Sequence, residues 1–122
     1  MSVAVETPSL ADMVERAEAL LPRLRDRARQ TDELRRLPDD TVAELRDAGF
    51  FRVLQPRRFG GFELDYGRTQ VELCHVLGEA CGSTAWTQSV LACHAWALGM
   101  FAPEVQEAVW GGDEDICRDL AK

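Results

Sequence analysis

The chain contains two histidines, and His94 is the more informative of them. It lies between Trp86 and Trp96 in a stretch of mostly small and apolar residues. In an α-helix, the eight residues from Trp86 to His94 span about 12 Å and turn through roughly 80°, so both side chains could line one side of a cavity. An imidazole and an indole there suit a planar phenolic or flavin ligand. Simple packing explains the same residues, and the pattern alone favours a core histidine.

The other histidine, His75, forms a Glu-x-x-His step with Glu72. This is the helical spacing of half a di-iron site, which also needs a second such step and two further glutamates. Only one copy is present, so we predict no metal site. Neither a CxxC pair nor zinc-ligand spacing occurs, which predicts free and mostly buried thiols. The cysteines are Cys74, Cys81, Cys93 and Cys117.

The spacing of helix-capping residues, prolines and glycines predicts five helices and almost no β-strand. These helices would position the side chains described above. Ser9 and Asp12 resemble a capping box, and the first helix is expected to kink or break at Pro22. Asp65 and Ser83 are expected to cap the third and fourth helices. The expected spans are 10–30, 38–48, 66–81, 84–100 and 103–110. Gly49 is expected to follow the second helix as its C′ residue.

A long segment without helical period, residues 50–65, joins the second and third helices. Pro56 and the Gly60-Gly61 pair exclude a helix, while apolar side chains from Phe50 to Phe62 predict a structured loop held against the core. The fourth helix carries no charged residue from Thr84 to Met100. That composition predicts burial on more than one side, and hence packing against further protein.

Composition bounds the class of protein. The 122 residues are 46% hydrophobic and 29% charged, which is typical of one globular domain. A net charge of −7 disfavours nucleic acid as a partner. No apolar run approaches the roughly 20 residues that cross a bilayer, and no signal-peptide pattern opens the chain. We therefore expect no membrane association and a cytoplasmic location.

Two segments resemble a known family. AGFFRVLQPRRFGGFELDY, residues 48–66, resembles the loop after the second helix in acyl-CoA dehydrogenase-fold proteins. EACGSTAWTQSVLACHAW, residues 79–96, is similar to the flavin-dependent monooxygenase branch, the oxygenase components of two-component aromatic hydroxylases of the secosteroid-phenol and 4-hydroxyphenylacetate type. Residues 20–42 and 101–111 resemble the same enzymes. The resemblance implies an all-α N-terminal helical domain over residues 1–122, with the family's middle β-domain and C-terminal helical bundle absent.

The resemblance also implies a function. The chain would be the N-terminal part of a monooxygenase that hydroxylates a small aromatic substrate with O2 and reduced flavin, FMN or FAD, supplied by a separate reductase. The family implies a homo-oligomer, a tetramer. Trp86 would lie beside the flavin, and His94 would be the catalytic residue that hydrogen-bonds the phenolic oxygen. The family's serine-rich stretch corresponds to residues 115–122, which lack serine, so we assign no function to Cys117 or Asp119.

Two alternatives stay open at this level. One is a true acyl-CoA dehydrogenase, whose base is a glutamate of the C-terminal bundle and whose thioester substrate has no phenol for His94 to serve. The other is a non-catalytic helical domain that pairs with another subunit. In every case we expect the 122-residue chain alone to be inactive, because Trp86 and His94 form only one wall of a site.

Overall fold

The computed structural model describes residues 6–112, and these form five α-helices. Their bounds are α1 Leu10–Leu34, α2 Asp39–Asp47, α3 Tyr66–Ala80, α4 Gly82–Leu98 and α5 Pro103–Trp110. One turn of 3-10 helix, Arg57–Phe59, lies in the loop between α2 and α3. No strand occurs within the described span, so the predicted all-α fold is confirmed. In the same span, no helix is long and apolar enough to cross a membrane.

The first helix begins as predicted but does not break. Ser9 Oγ accepts from the Asp12 amide at 3.1 Å, and Asp12 Oδ2 accepts from the Ser9 amide at 2.9 Å. Of the two outcomes predicted at Pro22, a kink or a break, the break does not occur, because α1 runs unbroken to Leu34. Pro22 is exposed, so the carbonyl that loses its helical partner, that of Glu18, lies on the solvent side of the helix.

The core lies between α1, α3 and the loop that follows α2. Helix α3 packs on both α1 and α4. The loop contributes the largest buried side chains, and its backbone is held by hydrogen bonds from the Phe62 amide to the Arg52 carbonyl and from the Leu64 amide to the Val53 carbonyl, both 2.9 Å. The prediction of a structured loop held against the core is therefore confirmed. Its most buried side chains are Phe50, Phe51, Val53 and Leu54.

The junction of α3 and α4 differs from the prediction. Asp65 caps α3 as expected, since its Oδ2 accepts from the Arg68 amide at 3.0 Å. Ser83 does not cap α4, because that helix already begins at Gly82 and its N-cap residue is Cys81. Cys81 is extended, with φ −158° and ψ 111°, and it is the single residue between the two helices. The joint is too short to leave Ser83 outside the helix.

Side-chain amides hold the middle and the C-terminal end of α4 in place. Gln88, which is fully buried, donates from Nε2 to the Phe50 carbonyl at 3.0 Å and so joins the middle of α4 to the loop. Gln106 of α5 donates to the carbonyls of Gly99 and Phe101, at 3.0 and 2.8 Å. These bonds fix the turn between α4 and α5, and with it the direction of the helix that carries Trp86 and His94.

Candidate functional site

Trp86 and His94 both lie on the solvent side of α4. Trp86 is 71% exposed and His94 is also exposed, whereas Gln88 and Ala92 on the other side are fully buried. The expectation of a core histidine, which the residue pattern alone favours, is therefore wrong. Residues 6–112 leave the second side of α4 uncovered, and its expected burial against further protein stays a prediction. This uncharged helix presents an open, largely apolar face, on which an indole and an imidazole stand.

The His94 ring has a defined hydrogen-bonding role. Its Nδ1 lies 2.7 Å from the backbone carbonyl oxygen of Val90. A carbonyl only accepts, so Nδ1 carries the proton, and in the neutral ring Nε2 then has a free lone pair. The backbone of the preceding helical turn thus selects the tautomer and holds the ring. His94 is equipped to accept a proton at Nε2 from a ligand bound on this face.

Trp86 forms part of a separate cavity. A space of about 480 Å3 lies between the end of α1 and the start of α4, and Trp86 lines it together with Arg35, Arg36 and Thr87. Its size falls in the range of small-molecule sites. His94 is not among its lining residues. The structure therefore places the two predicted site residues on one helix face but does not enclose them in one pocket.

An aromatic pair between α3 and α4 is not predicted from the sequence. The rings of Tyr66 and Trp96 are 4.4 Å apart between centroids, with a 34° tilt. The Tyr66 hydroxyl also lies 3.6 Å from Cys93 Sγ, and this hydrogen bond raises the pKa of Tyr66 above its ordinary value. The first residue of α3 thus packs on α4 at Cys93 and Trp96. Because the contact joins residues 27 positions apart, no local pattern signals it.

Both residues of the Glu-x-x-His step are paired with charged side chains of α3. Glu72 accepts from Arg68 at 2.8 Å, and His75 Nε2 lies 3.6 Å from Glu79. Each side chain is thus paired one turn along its own helix, and no group of three metal-ligating side chains gathers in residues 6–112. The cysteines of this span are free, with Cys81 buried and the other two half-buried. Cys117 lies outside the described residues.

Comparison with known proteins gives consistent matches. Residues 7–113 match the family described as acyl-CoA dehydrogenase, N-terminal domain. The oxygenase subunit HsaA of a flavin-dependent monooxygenase from Rhodococcus jostii is 43% identical over 107 residues, covering 84% of this chain and 27% of that protein. The oxygenase component of an FADH(2)-dependent resorcinol hydroxylase from Rhizobium is 39% identical, covering 89% and 27%.

A solved structure agrees with these relatives. The crystal structure of the HsaA monooxygenase from Mycobacterium tuberculosis superposes with a TM-score of 0.81 at 42% identity, covering 87% of this chain and 29% of that one. The chain therefore spans about a quarter of the length of the proteins it resembles.

Proposed function

The chain belongs to the acyl-CoA dehydrogenase N-terminal domain family, and from this premise we propose that it is the N-terminal part of the oxygenase component of a flavin-dependent aromatic monooxygenase. The reaction would hydroxylate a phenolic substrate with O2 and reduced flavin. The observation that carries the proposal is His94, whose Nε2 lone pair is free on the solvent side of the uncharged helix α4, which also carries the exposed indole of Trp86. The similarity to two oxygenase components supports it.

The residues of this face suit one side of a flavin site. Trp86 offers an exposed flat indole, and α4 carries no Asp, Glu, Lys or Arg from Gly82 to Leu98. Flat apolar surfaces favour contact with a planar ring system. The chemistry supplied by reduced flavin, when bound, would be the activation of O2 so that one oxygen atom can be transferred to the substrate. The uncharged helix would keep water away from that reaction.

His94 would act on the phenol. A phenol titrates near pH 10 and an imidazole near 6.5, so complete proton transfer between them is uphill by roughly 5 kcal/mol. The imidazolium that forms on Nε2 would remain hydrogen-bonded to the phenolate and recover part of that cost. Throughout, Nδ1 keeps its proton and its bond to Val90. Charge on the phenolic oxygen makes the aromatic ring a better nucleophile, which is what hydroxylation requires.

The experiment replaces His94 with Ala in the oxygenase that carries this domain. In a single turnover, reduced enzyme is mixed with O2 and substrate, flavin oxidation is followed by absorbance, and product is measured after quenching. General acid–base assistance is worth about 10²–10⁴ in rate, so hydroxylation should slow by that factor. Reaction of the flavin with O2 should change far less. His75→Ala is the matched control, because His75 is exposed on α3 and faces Glu79. Equal hydroxylation rates in the His94 variant and the parent would show that His94 does not act on the phenol.

The proposal extends to partners and domain organisation. We propose a separate flavin reductase, a small aromatic substrate, a cytoplasmic location and a homo-oligomer, a tetramer in the family that the chain resembles. Residues 1–122 would be the helical domain that precedes a β-domain and a helical bundle. An acyl-CoA dehydrogenase is disfavoured, because the relatives described above are hydroxylating oxygenases and a thioester gives His94 nothing to deprotonate.

A further inference from the structure

The cavity between the end of α1 and the start of α4 has a charged side and a flat aromatic side, and we call it the α1–α4 cavity. Its charged side comes from the end of α1 and the residues that follow, Asp32, Arg35 and Arg36. Its other side includes Trp86 and Thr87 of α4. The volume of about 480 Å3 leaves room for a small molecule that touches both sides.

Arg35 brings an unpaired cation to this cavity. It ends α1 in the left-handed conformation, φ 57° and ψ 27°, and its amide donates to two carbonyls of the last helical turn at 3.0 and 3.3 Å. Its side chain is exposed and forms no ion pair with the carboxylates of residues 6–112. The neighbouring Arg36 differs, because its Nη1 lies 3.2 Å from Asp39 Oδ1. The backbone of Arg35 is thus fixed, while its guanidinium is available to an anion.

Trp86 brings an unpaired aromatic face to the opposite side. Its indole is 71% exposed and forms no ring pair with another aromatic side chain of residues 6–112. No guanidinium of that part of the chain stacks on it, since the cation–π contact found there joins Arg58 to Phe59. A planar ring laid on this indole would remove apolar area from water. The cavity therefore holds a free cation and a free aromatic face that do not contact one another.

The charges around the cavity suit an occupant with a single negative charge. Arg36 is paired with Asp39, which leaves Arg35 as the free positive charge, and Asp32 is the one acid among the lining residues. A carboxylate matches the fork of one guanidinium with two parallel hydrogen bonds. A phosphate dianion would place a second negative charge near Asp32 and would need a further cation.

We propose that the α1–α4 cavity binds a planar aromatic carboxylate, with the ring on the Trp86 indole and the carboxylate on Arg35. Ser83 and Thr87, one helical turn apart, also line the cavity, and their hydroxyls are available to polar substituents of that ring. The site is independent of the proposed hydroxylation, because it uses neither His94 nor a flavin. Trp86 is common to both proposals, whereas Arg35 belongs to this site alone.

The test compares two probes of the same shape on the 122-residue chain, 2-naphthoate and the uncharged 2-naphthamide. Both are titrated by NMR, which gives the affinity from the backbone amide signals and the location from the indole N–H signal of Trp86. Naphthoate should bind with a Kd of about 1 mM or below, the value expected for a ligand of this size. It should bind roughly fivefold more tightly than naphthamide, as expected for one partly exposed charge pair.

Three variants separate the charge from the ring contact. R35Q removes the free guanidinium and should bind both probes equally, with the affinity that the parent has for naphthamide. R25Q is the matched control, because Arg25 is an exposed arginine of α1 that lies outside the lining of the cavity, and it should keep the fivefold preference. Trp86→Leu should weaken both probes by the same factor, since it removes the ring contact and leaves the charge in place.

Equal affinity of the parent for the two probes would overturn the proposal, and so would a preference for naphthoate that survives in R35Q. Shifts at the indole signals of Trp96 and Trp110 without one at Trp86 would overturn it as well, because the probe would then lie elsewhere. Tighter binding of 2-naphthyl phosphate than of naphthoate would contradict the choice of a monoanion. If R35Q fails to fold, the salt dependence of the parent decides. Raising the salt from about 50 to about 500 mM should abolish most of the preference, and a preference that salt leaves unchanged refutes the ion pair.

Discussion

Replacing Gly61 with alanine should destabilise the fold sharply, because the loop after α2 has no room for a Cβ there. Gly61 is buried, and a Cβ at this position would overlap the carbonyl oxygen of Gln55 and lie 2.5 Å from the Gln55 Cβ. Ordinary contact between carbon atoms is about 3.5–4.0 Å, so the two segments of the loop that carry Gln55 and Gly61 must separate by roughly 1 Å or more.

The size of the effect follows from what that separation breaks. The Gly61 amide donates to the Pro56 carbonyl at 3.1 Å, and the Glu63 amide donates to the Gln55 carbonyl at 3.1 Å. Losing both bonds costs about 1–3 kcal/mol, and the strain of overpacking adds about 1–3 kcal/mol. The free energy of unfolding should fall by about 2–6 kcal/mol, a large part of the roughly 5–15 kcal/mol available to a domain.

The assay is urea unfolding followed by circular dichroism, with Gly78→Ala as the matched control. A Cβ on Gly78 would lie 3.8 Å from the Ala85 Cβ, an ordinary contact, and alanine is the better helix former in α3. That control should raise the free energy of unfolding by about 0.5–1 kcal/mol. A Gly61→Ala chain within about 0.5 kcal/mol of the parent would refute the reasoning, since it would show that the loop yields freely.

Three other perturbations test separate features. Two hydrogen bonds from Arg27, 2.9 and 3.0 Å long, lower the pKa of Glu44. This ion pair therefore stabilises the fold at pH values above the unfolded pKa near 4.3, and the stabilisation is lost as the pH falls through the lower pKa of the folded state. In Glu44→Gln, the free energy of unfolding should therefore fall less steeply with decreasing pH over that acid range. Gln106→Ala should lower the free energy of unfolding by about 1–3 kcal/mol in urea, because it leaves two turn carbonyls without partners. The 122-residue chain should self-associate through its exposed apolar side chains, and serine at Met100 and Phe101, which are 68% and 56% exposed, should raise the monomer fraction in sedimentation velocity; a parent chain that stays monomeric at every concentration would contradict this.

The features predicted correctly are those set by local chemistry. Ser9 and Asp65 cap their helices because each has a polar side chain that reaches an unpaired amide one turn ahead. Gly49 follows α2 in a left-handed conformation, φ +89°, which glycine adopts without strain. The loop that follows is buried because its run of aromatic and aliphatic side chains has too few polar groups to stay in water.

The predictions that failed depend on tertiary surroundings. Of the kink or break predicted at Pro22, the break is absent because the rest of α1 is held on α3, so one missing hydrogen bond on the solvent side is tolerated. Ser83 is a good capping residue, but the chain reverses at Cys81 before Ser83 can lie outside the helix. The exposure of His94 depends on which face of α4 meets α3, and an almost uncharged helix gives no sequence signal for that choice.

The one-residue joint at Cys81 fixes the rotational phase of α4 as well as its direction. Each residue of an α-helix advances about 100° around its axis, so inserting or deleting one residue at the joint would turn every later side chain by that angle. Gln88 would leave the Phe50 carbonyl, and residues now in solvent would be driven into the core, while all side-chain identities stayed the same. Substitutions at Cys81 should therefore be tolerated far better than changes in chain length. The number of residues between the two helices decides whether Trp86 and His94 face outward.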